Sequence, residues 1–459
     1  MTTTPTRPLR LLSLAWPLFV EQGLRISIGT VDTLMVSHIS DNAVAALGVA
    51  NQIIILFLIL FNFIGIGSSV VITHHLGARD RAGADRIARA AIGVNTWIGL
   101  AASLLVAGLS RPILGLMQMP EALFDYALPF LTLMGGTLFL DAQSMAMSAV
   151  LRAHGHTREV MLVTGAQNVL NVIGNGLLLF GLFGFPQLGV TGVALSGVFS
   201  RLVCLGIMWA LVKRQTGVRL ALIDYVAFPR REVRRILRIG LPAAGENLSY
   251  WLAFMVMTTF IARLGETSLA ASTYALQLMT WVIIFADAIG LGTEILIGHL
   301  IGKGDFDKAF HELLRSLRIG IALALVTSLA LAATAGPMAR SFSDDPSVVV
   351  LIVGVLRLGV VLEPGRVFNI VVINALRATG DARFPLIVGL CSMWGLWLPL
   401  AWWLGIELGM GLSGIWIAMC ADEWLRGLLM YSRWKGRRWI GYAQQSRGHL
   451  SLDPDLPVP

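Results

Sequence analysis

Glu21, Arg25 and Asp32 stand inside WPLFVEQGLRISIGTVDTLMV, residues 16–36, a stretch otherwise rich in Leu, Ile, Val and Gly. Each charge placed in hydrocarbon costs at least about 2.5–3.5 kcal/mol on insertion scales, so charges at such positions point to a task. On a helix Arg25 lies about 40° round from Glu21, and Asp32 returns to within about 20°, so all three share one stripe. Glu followed by Arg four residues later is the favourable order for an ion pair. Arg25 is therefore expected to neutralise Glu21. Asp32, about 35 Å along the axis from Leu9, is left as a spare carboxylate that could bind a monovalent cation.

Polar residues elsewhere extend this reading. Asn168, Asn171 and Asn175 fall on one helical face of the fifth apolar segment, whereas the second half of the chain has Met393, Leu396 and Leu400 at the matching places. The first half thus has a polar interior that the second lacks, and Asp32 with the asparagines and Glu21 forms the candidate cation site. The second half offers secondary candidates for a cation or drug site: Glu246 and Tyr250, Asp287 with Glu294 seven residues later, and Glu363, three residues before Arg366 and read as its ion-pair partner. GHLIGKGD (298–305) has too short a spacing for a phosphate loop and no Ser or Thr after Lys303, and HELLR (311–315) has Arg315 where a zinc motif needs His. No cluster of acids or histidines marks a membrane-embedded transferase, so no enzyme chemistry is expected, and no structural metal or cofactor. Cys204, Cys391 and Cys420 all fall in apolar segments and read as small hydrophobes.

The elements that must position these groups follow from composition. Of 459 residues 56% are hydrophobic and 14% charged, against about 25% charged in soluble domains. Spanning a bilayer takes roughly 20 apolar residues per helix. Twelve such segments begin near Leu9, Val44, Ala88, Leu123, Glu159, Leu188, Arg235, Leu269, Leu313, Val348, Phe384 and Leu412. The first, although preceded by Arg7 and Arg10, lacks a small-residue cleavage pattern and reads as a retained span. Lipid cannot satisfy free backbone groups, and these runs are too long for strands, so an all-α membrane protein is expected. The net charge of +8 is distributed by topology. Loops numbered alternately carry 27 Lys and Arg on one side and Arg111, Arg263 and Arg340 on the other. That asymmetry places both termini in the cytoplasm and removes any need for nucleic acid. The Pro-bearing stretch 440–459 reads as an unstructured tail.

The chain is also written twice, at an offset of about 225 residues. WPLFVEQ (16–22) lies over LPAAGEN (241–247), GIGSSVVITHHLGARD (65–80) over GLGTEILIGHLIGKGD (290–305), and LRAHGHTR (151–158) over LRATGDAR (376–383). In the last two spans the register slips to 222, where GVTG (189–192) meets GLSG (411–414). An even number of spans per half gives parallel repeats. The expected organisation is two pseudo-symmetric six-helix lobes, 1–212 and 239–432, joined by a basic cytoplasmic linker, 213–238, and followed by a cytoplasmic tail, 433–459.

The twelve spans, the P…D first span running into DNAVAALGVANQI (41–53) and the paired LRAxGxxR turns resemble the multidrug and toxic compound extrusion (MATE) family over residues 9–432. The resemblance implies a bacterial inner-membrane antiporter, working as a monomer by alternating access. It would expel amphipathic, often cationic, drug-like compounds against inward H⁺ or Na⁺. It maps the family's first-span Asp onto Asp32, its bending proline onto Pro17 and its fifth-span Asn onto Asn171. A position where some members carry Asp is Asn175 here. The acids with which other members hold Na⁺ in spans 7 and 10 correspond to Tyr250 and Arg366, with Glu246 and Glu363 about one turn away. A lipid-intermediate flippase of the same superfamily is the alternative, and would want a cavity lined by basic residues, for which Arg25, Arg201, Arg357, Arg366 and Arg426 lie within spans.

Overall fold

A computed structural model describes residues 9–221, 224–225 and 229–451. Arg7 and the prolines at 454, 457 and 459 lie outside the described residues. The first half contains α1 (Leu11–Ser37), α2 (Asp41–Gly77), α3 (Arg81–Leu116), α4 (Glu121–Gly136), α5 (Leu138–Ala153), α6 (Thr157–Phe180) and α7 (Gly189–Leu211). α4 and α5 form one span bent by 45°. The second half contains α8 (Arg230–Arg263), α9 (Glu266–Lys303), α10 (Phe306–Ala333), α11 (Pro346–Ala378), α12 (Arg383–Ser392), α13 (Gly411–Lys435) and α14 (Trp439–Ser451). α12 is prolonged to Glu407 through two widened turns, Met393–Trp397 and Trp403–Glu407, on either side of Pro399. Proline has no N–H and crowds the carbonyl four residues back, which favours such insertions.

Among the described residues eight helices are long and apolar enough to cross a membrane, and the bent α4–α5 pair makes nine. The remaining three of the twelve expected spans are α1, α8 and α13. They carry Glu21, Arg25 and Asp32; Glu246; and Asp422, Glu423 and Arg426, and all of these except Arg25 are buried. Charge turned inward lowers their hydropathy without exposing it to lipid. Conversely, Leu104, Leu162, Val169, Leu202, Val326, Val350 and Ile387 are exposed. Apolar outside and polar inside is the arrangement a hydrocarbon solvent requires.

The repeat motifs turn out to be helix punctuation. Asp80 caps α3 by accepting from Gly83 N at 2.8 Å, and its counterpart Asp305 caps α10 by accepting from Lys308 N. Gly155 and Gly380, in the paired LRAxG turns, have φ of 85° and 90°, a region that strains residues bearing a Cβ.

Two compact units can be distinguished. One holds α1 as far as Phe19, Gly77–Arg79 and the chain from Leu241; the other holds Val20–Leu76 and Asp80–Gly240. In the first, Leu11 and Leu14 of α1 share a core with Ile289, Leu313, Val371 and Trp434, while Met257, Ile352, Trp397 and Trp416 form a second core. In the other, Leu47, Phe61, Val106, Phe130 and Ala194 are packed together. There α8 enters at close range against α2. A Cβ on Gly240 would collide with the carbonyl of Phe63, and one on Gly67 with that of Ile236.

The expectation of an unstructured stretch from residue 440 is corrected by α14. Trp439 is fully buried and stacks on Trp434 at 4.4 Å with the rings 13° apart. Ser446 Oγ donates to the carbonyl of Thr379 and Arg447 Nε to that of Gly302. Its Gln-, Ser- and Gly-rich sequence disguised a helix anchored by one indole and by the buried Ala443.

Candidate functional site

α1 and α6 present the polar residues of the Val20–Gly240 unit at two separate levels. At the outer level Asn175 Nδ2 donates to Asp32 Oδ1 at 2.6 Å and to Asn171 Oδ1 at 3.3 Å. Ser196 Oγ on α7 donates to the Asn171 carbonyl at 2.9 Å, fixing the backbone that carries the amide. Asp32 is 7% exposed and forms no ion pair among the described residues. Asn175 Oδ1 is buried and accepts nothing. Asp32 is thus a desolvated carboxylate, a donor that suits a proton or a small hard cation.

Glu21 belongs to the other level. It is 1% exposed and accepts from Arg25 at 3.0 Å and from Arg152 Nη1 at 3.1 Å. Asn168 donates to the carbonyls of Leu24 and Thr164, and so ties α6 to α1 without touching Asp32. Pro17 lies inside α1 on the segment grouped with the chain from Leu241, two residues before the division between the units. The structure thus brings Asp32, Asn171 and Asn175 together and leaves Glu21, Asn168 and Pro17 elsewhere.

The secondary candidates scatter in the same way. Glu246 accepts from Arg377 Nη2 at 2.7 Å, so it repeats the Glu21–Arg152 contact 225 residues later. Tyr250 stacks on Trp397 and Phe254 with centroids 6.0 and 6.3 Å apart. Asp287 is partly buried and Glu294 buried, both on α9. Glu363 pairs with Arg366 at 3.0 Å.

That last pair opens onto a network the sequence reading missed. Arg366 Nε lies 3.8 Å from Glu423, and Arg426 contacts both Glu423 (3.2 Å) and Asp422 (2.8 Å). Asn369 Nδ2 donates to Glu423 at 2.7 Å and Ser392 Oγ to Asp422 at 2.5 Å. The expectation of no acid cluster is therefore corrected: α11 and α13 assemble three carboxylates. Two guanidiniums, Arg366 and Arg426, tie all three. Asp422 and Arg426, spaced four apart like Glu21 and Arg25, were the overlooked signal. A further pair, Asp141 on α5 with Arg201 Nη1 on α7, closes at 2.8 Å.

A bundle of long helices, apolar outside, with a desolvated carboxylate–amide cluster and internally paired charges, defines a polytopic membrane transporter. The MatE family model matches the chain twice, at residues 17–177 and 242–403, starting each time at the repeat-related proline. The chain belongs to the MatE family, whose members are transporters and not enzymes. It is 42% identical over 430 residues to "Uncharacterized transporter YisQ" of Bacillus subtilis (strain 168), covering 94% of each chain. It is 26% identical to "Probable multidrug resistance protein NorM" of Thermotoga maritima, covering 94% of this chain and 92% of that one. Its fold matches "Crystal structure of MATE in the straight conformation" with a TM-score of 0.86 and 20% identity, covering 97% and 100% of the two chains.

Proposed function

We propose that this protein exports amphipathic, cationic drug-like compounds in exchange for H⁺ or Na⁺, with Asp32 as the group that the coupling cation and the substrate occupy by turns. The observation that carries this reading is the Asp32–Asn175–Asn171 cluster. There a buried carboxylate accepts from the Asn175 amide and pairs with no guanidinium among the described residues. An anion without a fixed counter-charge favours any cation that can reach it. Two cations that bind the same anion exclude each other, and a carrier exposing that anion alternately to the two sides of the membrane becomes an exchanger. The relatives named for multidrug resistance support drug-like substrates. The two lobes, 1–212 and 239–432, joined through 213–238, are the natural moving bodies, in a bacterial inner membrane with both termini cytoplasmic.

The flippase alternative would need guanidiniums available to an anionic headgroup. Of the five in-span arginines, Arg25, Arg201, Arg366 and Arg426 already contact a carboxylate, which favours the exporter.

Proteoliposomes loaded with ethidium as probe, under an imposed pH or Na⁺ gradient, test the reading. Wild type is expected to move ethidium against one of the two gradients. Asp32→Asn, reconstituted in equal amount, is expected to lose gradient-driven movement; transport by this variant at the wild-type rate would remove Asp32 from the mechanism.

A further inference from the structure

Leu195, Phe199, Leu202, Gly206 and Trp209 recur three or four residues apart along α7, and all are exposed. At that spacing they form one stripe down the helix. Apolar and on the outside of the bundle, the stripe faces acyl chains. Lys213 is its next member. The Lys213 ammonium lies 5.3 Å from the centroid of the Trp209 ring, a cation–π distance. An indole followed one turn later by a cation marks the level at which hydrocarbon gives way to headgroups.

Beyond Trp209 the chain folds back on that level. Val212–Thr216 forms a widened turn, and Val212 and Val218 at its two ends are buried. Gly217, next to Val218, takes a φ of 81°, which a residue bearing a Cβ adopts only at a cost. Thr216 Oγ1 donates to the Val212 carbonyl at 2.7 Å and accepts from Val218 N at 3.3 Å. Pinned by the two valines, the turn leaves Lys213 and Arg214 exposed on one side of Gly217 and Arg219 on the other. All three line one open cavity of about 460 Å³ together with Trp209 and Gly217, a size ordinary for binding a small group. Among the described residues none of the three is ion-paired, whereas Lys308, Arg433 and Arg437 each hold a carboxylate. Membrane orientation accounts for an excess of basic residues in alternate loops. It does not account for three of them converging on one hollow.

We propose that this hollow binds the phosphodiester headgroup of an anionic phospholipid whose acyl chains lie along the α7 stripe. A guanidinium can hold two phosphate oxygens at once, and the Lys213 ammonium adds a compact point charge. A zwitterionic headgroup would bring its own ammonium to a site that offers three cations and no carboxylate, so like charges meet and it is disfavoured. Free phosphate would meet the same three cations but has no use for the apolar stripe leading into them, which assigns the site to lipid. On the orientation read from the loop charges, the hollow lies at the cytoplasmic leaflet, where anionic headgroups attract juxtamembrane cations. A lipid there tethers the first residues of the linker 213–238 to the bilayer. The site is independent of the role proposed for Asp32.

Native mass spectrometry of the full chain in detergent, titrated with dioleoylphosphatidylglycerol or dioleoylphosphatidylcholine, tests the site. Wild type is expected to retain one phosphatidylglycerol at concentrations at least about tenfold below those needed for phosphatidylcholine, since each nearby cation strengthens binding roughly fivefold. The combined change Lys213→Gln, Arg214→Gln and Arg219→Gln is expected to abolish that preference. These side chains are exposed, so their replacement leaves the packing intact. The change Arg230→Gln, Arg231→Gln and Arg234→Gln removes the same charge from α8 outside the hollow and is expected to keep the preference within about twofold. Equal retention of the two lipids by wild type, or equal loss in the two triple variants, would overturn the site and leave these cations to orientation alone. Inorganic phosphate at millimolar concentration is expected to leave the phosphatidylglycerol in place. Displacement of the lipid by phosphate would overturn the lipid assignment in favour of a soluble anion.

Discussion

Glu21–Arg152 and Glu246–Arg377 are the same contact made twice, each between residues 131 apart. They tie the first helix of a half to the turn that ends its fourth span. Breaking a buried pair by removing one partner strands the other charge, at a cost of about 3–5 kcal/mol. Arg377→Ala is expected to lower stability by that amount, with the double change Glu246→Gln and Arg377→Met recovering most of it; thermal unfolding in detergent reads both. Arg25 behaves differently. Its side chain is 40% exposed, and Arg152 still holds Glu21 when it is gone, so Arg25→Ala is expected to cost only about 1 kcal/mol or less. The i,i+4 spacing made Arg25 legible in the sequence. Arg152 was not legible as a partner, because nothing local relates residues 131 apart.

At the scale of elements, the close contact of α2 and α8 depends on Gly67 and Gly240, where each added Cβ meets a backbone carbonyl that cannot rotate away. Gly67→Ala and Gly240→Ala are each expected to reduce the yield of folded protein. Because both act at one crossing, their combined effect should be less than the sum, as size-exclusion chromatography of the detergent-solubilised variants would show. α14 is held by the buried Trp439 indole, which also donates to the Trp434 carbonyl at 3.0 Å. Trp439→Ala is expected to destabilise its unit by about 3–5 kcal/mol, the usual cost of emptying a large aromatic site, again read by thermal unfolding. Spans announced themselves through length and hydropathy; α14 did not, since a short helix resting on one side of a unit needs only a few apolar contacts.

For the molecule as a whole, the basic residues of alternate loops predict orientation. Single cysteines placed at Arg79 and Arg111, in a chain cleared of Cys204, Cys391 and Cys420, should react with an impermeant thiol reagent from opposite sides. Position 79 should label in inside-out vesicles and position 111 in right-side-out vesicles. The duplicated sequence has a further consequence. Repetition fixed the helical frame, the caps at Asp80 and Asp305 and the turns at Gly155 and Gly380, while divergence within that frame gave one half Asp32 with Asn171 and Asn175 and the other a network of acids and arginines.

The sequence by itself determined that this is an all-α membrane protein built from two related halves, and it gathered Asp32, Glu21, Asn168, Asn171 and Asn175 into one candidate site. Composition, helical period and spacing along one helix are local properties, and the duplication shows when the chain is laid over itself at an offset of about 225 residues. Only the tertiary structure decided that Asn175 is the amide on Asp32, that Glu21 and Glu246 serve as clasps, and that Asp141 meets Arg201 and Glu423 meets Arg366. Charges buried in a membrane protein are matched across helices, and helix-to-helix matching is set by packing between segments distant in the chain, which no local pattern encodes.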